Sequence, residues 1–201
     1  MAYRFIITVS VLFSTLTLFA CAGSEPSPEK AGTLKPHADS ELSVNDIRKA
    51  ANAGNADARN KLGILYSEGR GVGQSYVQAK QWFEKAAEQG HAGAQVNLGT
   101  LYLHGLGAPQ SDQMALVWFR QAAKQGDSLA FAKLGLMFTQ GRGVAQDYVQ
   151  AHMWYNLSAA HGERRAAESR DNLAKQMTPT QVAEAQKLAQ EFEQKAPRSL
   201  Q

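Results

Sequence analysis

The chain has 201 residues, 44% of them hydrophobic, with 21 Lys and Arg against 18 Asp and Glu and a single cysteine. A net charge of +3, both signs mixed along the chain and no basic cluster interleaved with aromatics give no nucleic-acid face. One cysteine cannot supply a disulfide framework, so the fold must rest on packing.

At the start, one positive charge at Arg4 precedes an apolar and hydroxyl run from Phe5 to Phe19. At about 15 residues this run is short for a membrane span, which needs roughly 20, and suits a signal-peptide core. Residues 1–20 are therefore expected to be an export signal. "LFAC", Leu18 to Cys21, resembles the lipobox of bacterial lipoproteins, with Phe19 larger than the pattern usually has. Cys21 is the expected lipidation site, because a thiol accepts the diacylglyceryl group and cleavage before it frees an amine for a further chain. Several acyl chains anchor stably where one is marginal. The alternative is an ordinary cleaved signal that leaves Cys21 a free thiol. By resemblance to lipoprotein sorting rules, Ala22 after the cysteine favours the outer membrane, facing the periplasm of a Gram-negative cell. Residues 21–42, rich in Pro, Gly, Ser and charge, lack apolar periodicity and read as a tether.

"LGILYSEGRGVGQS" from Leu62 could suggest a glycine-rich phosphate cradle. The stretch returns as "LGTLYLHGLGAPQS" from Leu98 and "LGLMFTQGRGVAQD" from Leu134, a period of 36 residues without insertion. Trp82, Trp118 and Trp154 keep the same period, as do Ala79, Ala115 and Ala151. A phosphate site has no reason to be copied with a tryptophan, whereas a stacking unit does. The units are residues 56–91, 92–127 and 128–162.

Within a unit, Ala58, Leu62, Leu65 and Tyr66 have the spacing of an amphipathic first helix, A, ended by Gly69. Gly105 and Gly141 repeat that stop. Ser75, Ser111 and Asp147 are expected N-caps of a second helix, B, and Gln78 and Gln150 would complete capping boxes. Gly63, Gly99 and Gly135 fall inside helix A, where glycine costs about 1 kcal/mol against alanine. They imply close approach, with Ala79, Ala115 and Ala151 as expected neighbours and the tryptophans filling space between units. "IRKAANAG", Ile47 to Gly54, aligns with the end of helix B, so residues 43–55 form an N-terminal cap. Residues 163–197 form C-terminal capping helices. The last starts at "TPTQ", Thr178 to Gln181, with Val182, Ala185, Leu188, Ala189 and Phe192 on one side.

Catalytic patterns are sparse. "SPEK", Ser27 to Lys30, has the Ser-x-x-Lys spacing of penicillin-recognising enzymes without the partner motifs, and lies in the tether. His37, His91, His104, His152 and His161 lack partners at ligand spacing and read as exposed or interfacial side chains. No metal, cofactor or enzymatic activity is expected.

The quoted segments resemble the Sel-one-like repeat family, a branch of the tetratricopeptide-like helical repeats, over about 107 residues, Ala56 to Gly162. Gly107-Ala108-Pro109 departs from the usual Gly-Val in the middle copy. The resemblance implies an all-α, right-handed α/α superhelical solenoid with a concave face lined by helix A. Matching positions on that face are Asn60, Ile64 and Ser67; Val96, Thr100, Leu103 and His104; then Ala132, Leu136, Thr139 and Gln140. Ile64 and Leu136 read equally as packing between units. A groove of this apolar and hydroxylic make-up would suit a peptide with apolar anchors. The family's adaptors imply a non-catalytic scaffold for an envelope protein or peptide, held to the membrane through Cys21. The alternatives are a cell-wall enzyme or binder of peptidoglycan or beta-lactam, and a host-directed secreted factor. Some secreted members are cysteine-rich and linked to penicillin-like ligands; this chain has no cysteine after Cys21.

Overall fold

The computed structural model describes residues 43–195, which form nine α-helices with no strand among the described residues. The proposed signal, Cys21, "SPEK", His37 and the tether lie outside the described residues, as do residues 196–201. In chain order the helices are α1 (Val44–Asn52), α2 (Ala56–Glu68), α3 (Tyr76–Ala87), α4 (Ala92–His104), α5 (Asp112–Ala123), α6 (Ser128–Gln140), α7 (Tyr148–Ala160), α8 (Arg164–Ala174) and α9 (Pro179–Lys195). The closest packing is within the pairs α2–α3, α4–α5 and α6–α7, and each pair meets the next through α3–α4, α5–α6 and α7–α8. Stacking of helix pairs on their neighbours makes this an all-α repeat solenoid.

Each first helix ends on a left-handed glycine, Gly69, Gly105 and Gly141, with φ of 72°, 66° and 66°. That conformation satisfies the last carbonyls without a Cβ penalty. Each second helix starts where expected: the Ser75 and Ser111 hydroxyls and the Asp147 carboxylate accept from the N–H groups of Gln78, Met114 and Gln150, at 3.3, 3.2 and 3.0 Å. The capping boxes expected at Gln78 and Gln150 do not close. The N–H groups of Ser75, Ser111 and Asp147 already donate to the carbonyls of Tyr66, Tyr102 and Phe138 at 2.9, 2.9 and 3.1 Å, so the glutamines have nothing left to cap. The box does form at α9, where the Thr178 N–H donates to Gln181 Oε1 at 2.9 Å and the Gln181 N–H to Thr178 Oγ1 at 3.3 Å.

The helix-interior glycines do mark close approach, but not to the expected alanines. A methyl group built at Gly63 would lie 2.5 Å from the Phe83 ring, at Gly99 2.7 Å from Phe119, and at Gly135 2.7 Å from Tyr155. An aromatic ring reaches further across the helix pair than the methyl of Ala79, Ala115 or Ala151, so the ring one turn along takes the space. These alanines are fully buried in the core nearby.

The C-terminal end departs from the repeat. Where a fourth unit would pair its two helices, α9 instead packs on α7, while α8 packs on the other side of the same helix. Ala185 and Ala189 are buried in a cluster with Phe131, Met153, Trp154 and Leu157. The Phe192 ring meets Phe131 and Trp154 edge-on, with centroids 5.8 and 5.2 Å apart. Trp82 and Trp118, at the same position in the first two units, are only half-buried, Trp82 packed on the cluster between α1 and α2 and Trp118 on the cluster between the first two units.

Candidate functional site

The first helices α2, α4 and α6 carry the residues expected from the resemblance to meet a partner. Their solvent-facing positions recur with the period: Lys61, Ile64 and Glu68; Asn97, Thr100 and His104; Lys133, Leu136 and Gln140. Three- and four-residue steps keep each set on one helical stripe. Ile64, Thr100, Leu136, His104 and Gln140 stand on it as the sequence suggested. Val96 and Leu103 do not: at 5% and 3% exposure they are buried in the cluster with Phe119, Leu116 and Met137. A step of one residue turns a side chain by about 100°, which moves Val96 inward and brings Asn97 out.

The remaining expected residues are tied down locally. The hydroxyls of Ser67, Thr100 and Thr139 donate to the carbonyls of Ile64, Val96 and Gly135 at 2.8, 2.9 and 2.8 Å, back-bonding to their own helices. Ala132 packs against the cluster under α8, and Ile64 against the cluster between the first two units. Asn60 is half-buried and links units directly, its Oδ1 accepting from Asn97 Nδ2 at 2.9 Å. The stripe is therefore more polar than an apolar and hydroxylic groove. Two facing carboxamides stand at its centre, and the two lysines were missed because they sit one residue from the positions first aligned.

Other groups are spent on structure. His91 caps α4, its Nδ1 accepting from the Ala94 N–H at 3.0 Å, and its Nε2 lies 3.1 Å from Asp57 Oδ1. Arg142 joins units two and three: Nη2 donates to Asp112 Oδ1 at 2.6 Å and to the Leu103 carbonyl at 2.9 Å, and Nε to Asp112 Oδ2 at 3.2 Å. The hydrogen bond from Arg142, with its charge, holds the Asp112 carboxyl below the ordinary carboxylate range. The Lys80 ammonium is held above its ordinary range chiefly by its hydrogen bond to Glu84, and it sits 5.7 Å from the centre of the Tyr102 ring. His152 is buried, which leaves the interfacial of the two readings given for it. Among the described residues no group of three or more His, Cys, Asp or Glu could hold a metal ion. An open depression of about 290 Å³ between the starts of α7 and α9 is lined by Gln146, Asp147, Tyr148, Val149 and Gln181; its one carboxylate is the cap of α7.

Helix pairs in register and a left-handed glycine stop after each first helix define an α-helical repeat protein. The Sel1 repeat model matches residues 56–91, 92–127 and 129–163, so the chain belongs to the Sel1-repeat family. Among solved structures it is similar to a protective antigen present in uropathogenic Escherichia coli strains that displays an SLR fold, at 35% identity and a TM-score of 0.72 over 78% of this chain. The chain spans 34% of the length of that antigen. A Sel1 repeat protein from Oxalobacter formigenes is 37% identical, with a TM-score of 0.60 over 64% of this chain and 53% of the other. The cysteine rich protein B of Helicobacter pylori shares the fold at 20% identity, with a TM-score of 0.51 over 64% of this chain and 97% of the other. Comparison with curated proteins finds no match.

Proposed function

We propose that this protein is a non-catalytic scaffold of the bacterial cell envelope that binds a partner protein or peptide along the first-helix face. Sel1-repeat proteins are in general protein-interaction scaffolds. The observation that carries the reading here is the stripe from Lys61 and Ile64 through Asn97 and Thr100 to Lys133 and Leu136, which stays open to solvent among the described residues. Half-exposed Ile64 and Leu136 supply apolar anchors, while Asn60 and Asn97 retain donors and an acceptor for a peptide backbone. The envelope setting rests on the apolar leader before Cys21, with a lipid anchor at that thiol holding the solenoid to the outer membrane on the periplasmic side.

Photo-crosslinking residues placed one at a time at Asn97 and Lys133, and at Gln81 on a second helix, test the face. Adducts to a defined envelope protein from positions 97 and 133, absent from 81, are expected. Adducts from 81 alone would move the site to the other surface. Cys21→Ser should abolish acyl labelling and release the protein into the soluble periplasmic fraction. If the wild-type chain takes up no acyl label, the anchor is wrong and the scaffold reading stands without it.

A further inference from the structure

Position 152 in the third unit corresponds to Lys80 and Leu116 in the first two. Lys80 pairs with Glu84 and lies over Tyr102 of the following unit, and Leu116 is buried in the main cluster. At the last junction the chain places a histidine. His152 is 2% exposed, and its Nδ1 is buried without a hydrogen-bond partner. A buried polar atom left unpaired in this way calls for an explanation.

The helix beyond it, α8, has α7 as its main packing partner. Only Ala166 and Leu173 of α8 are buried, in a small cluster with Ala151 and Tyr155 of α7. The charged groups acting on His152 both come from α8. The Arg170 Nη1 donates at 3.2 Å to Asn156 Oδ1, one turn beyond His152, and the Arg170 Nη2 lies 2.8 Å from Asp171 Oδ1. Helix α7 has no Lys, Arg, Asp or Glu, and neither Lys133 of α6 nor Glu184, Lys187 and Glu191 of α9 are among the groups that perturb His152. His161, the C-cap of α7, packs against the Phe131 ring instead.

We propose that His152 is an acid trigger for α8: taking up a proton puts a buried cation near the partly exposed Arg170 guanidinium, and α8 leaves α7 while α9 stays docked. Burial first, and the Arg170 charge second, push the imidazole below its ordinary value, with Asp171 opposing. A histidine depressed in the docked state is neutral there, and the released state binds the proton more readily. The docked state therefore loses stability as pH falls below about 6.5. Release uncovers Ala151 and Tyr155 at the end of the stack, the place where a further first helix would seat. This is a device separate from the first-helix stripe.

Hydrogen exchange on the whole protein, corrected for intrinsic rates, between about pH 7.5 and about pH 5 reads the switch directly, because an unperturbed imidazole titrates in that window. Protection in Arg164–Ala174 is expected to fall several-fold on acidification, with α2 to α6 and α9 unchanged. His152→Leu, the residue of the second unit, should keep α8 docked at both pH values, and His161→Gln should behave like the wild type. An α8 whose protection does not change with pH in the wild type overturns the proposal, as does an equal fall in His152→Leu. Should that variant fold poorly, the wild-type His152 ring resonance must titrate in step with the α8 amides; titration apart from them also overturns it.

Discussion

The outer surface of the third unit differs from that of the first two at four matched positions. Phe131, Met153, Leu157 and His161 of the third correspond to Gln95, Val117, Gln121 and Gln125 of the second and to Arg59, Gln81, Lys85 and Gln89 of the first. The third set lies beside α9, where Trp154 is buried at 9% exposure; in the other units Trp118 and Trp82 keep part of their rings in water, and Lys85 sits 4.4 Å from the centre of the Trp82 ring. The seat of α9 is thus written in the sequence as departures from the repeat. Phe131, Met153 and Leu157 are apolar where α9 covers them, whereas the matching positions of the other units are polar except for the exposed Val117. Gln95 shows how a buried position serves without that cover: its amide donates to the Ala87 carbonyl at 3.2 Å and its oxygen accepts from Gln125 Nε2 at 2.8 Å.

Breaking this contrast gives the largest expected effect. Trp154→Ala should cost about 3–5 kcal/mol, as a buried aromatic does, and Trp118→Ala less, since part of that ring never leaves water; denaturant titration of the two variants measures the gap. Equal costs would mean that α9 adds no burial to the third tryptophan. Gly63→Ala and Gly135→Ala probe a feature that the units share, a ring against a helix backbone. Each should destabilise by about 1–3 kcal/mol through overpacking, less whatever helix propensity returns, and the pair should agree within the error of thermal unfolding. A marked difference would show that the units relax unequally.

Removing the bridge between the second and third units comes next. Arg142→Ala should cost about 1–2 kcal/mol, because it deletes charge-assisted bonds to Asp112 and Leu103. The Asp112 carboxyl is depressed in the folded state, so its contribution is present above the unfolded value of about 3.9 and is lost as pH falls through the folded value. Stability of wild type minus variant, followed by denaturation across that acid range, should shrink accordingly. The smallest effect separates the caps: Gln181→Ala should cost about 0.5–1 kcal/mol, as its side chain closes a capping box. Gln78→Ala should stay within about 0.5 kcal/mol, because the N–H it was expected to cap is bonded to Tyr66. Thermal melts of the two variants check the order.

The repeat period, the helix boundaries at Gly69 and Ser75 and their copies, and the box at Thr178 were all legible in the sequence. Each is a local signal, a turn conformation or a side chain reaching three residues along, and it does not depend on distant contacts. The candidate face was legible in part. Ile64, Thr100, Leu136, His104 and Gln140 came out on the stripe, while Val96 and Leu103 turned inward and Lys61, Asn97 and Lys133 took the surface. Helical spacing fixes which residues share a face but leaves free the rotation of that face relative to the neighbouring units.

The 36-residue period determined an all-α stack of helix pairs, because a unit copied in register can bury its apolar side only against copies of itself. Tertiary structure alone decided that Phe83, Phe119 and Tyr155 fill the glycine seats, that the N-cap amides bond to the preceding helix, and that α9 folds onto α7 instead of pairing with α8. In each case two groups distant in the chain compete for one space or one hydrogen bond, and that competition is settled by three-dimensional packing, which a one-dimensional period does not contain.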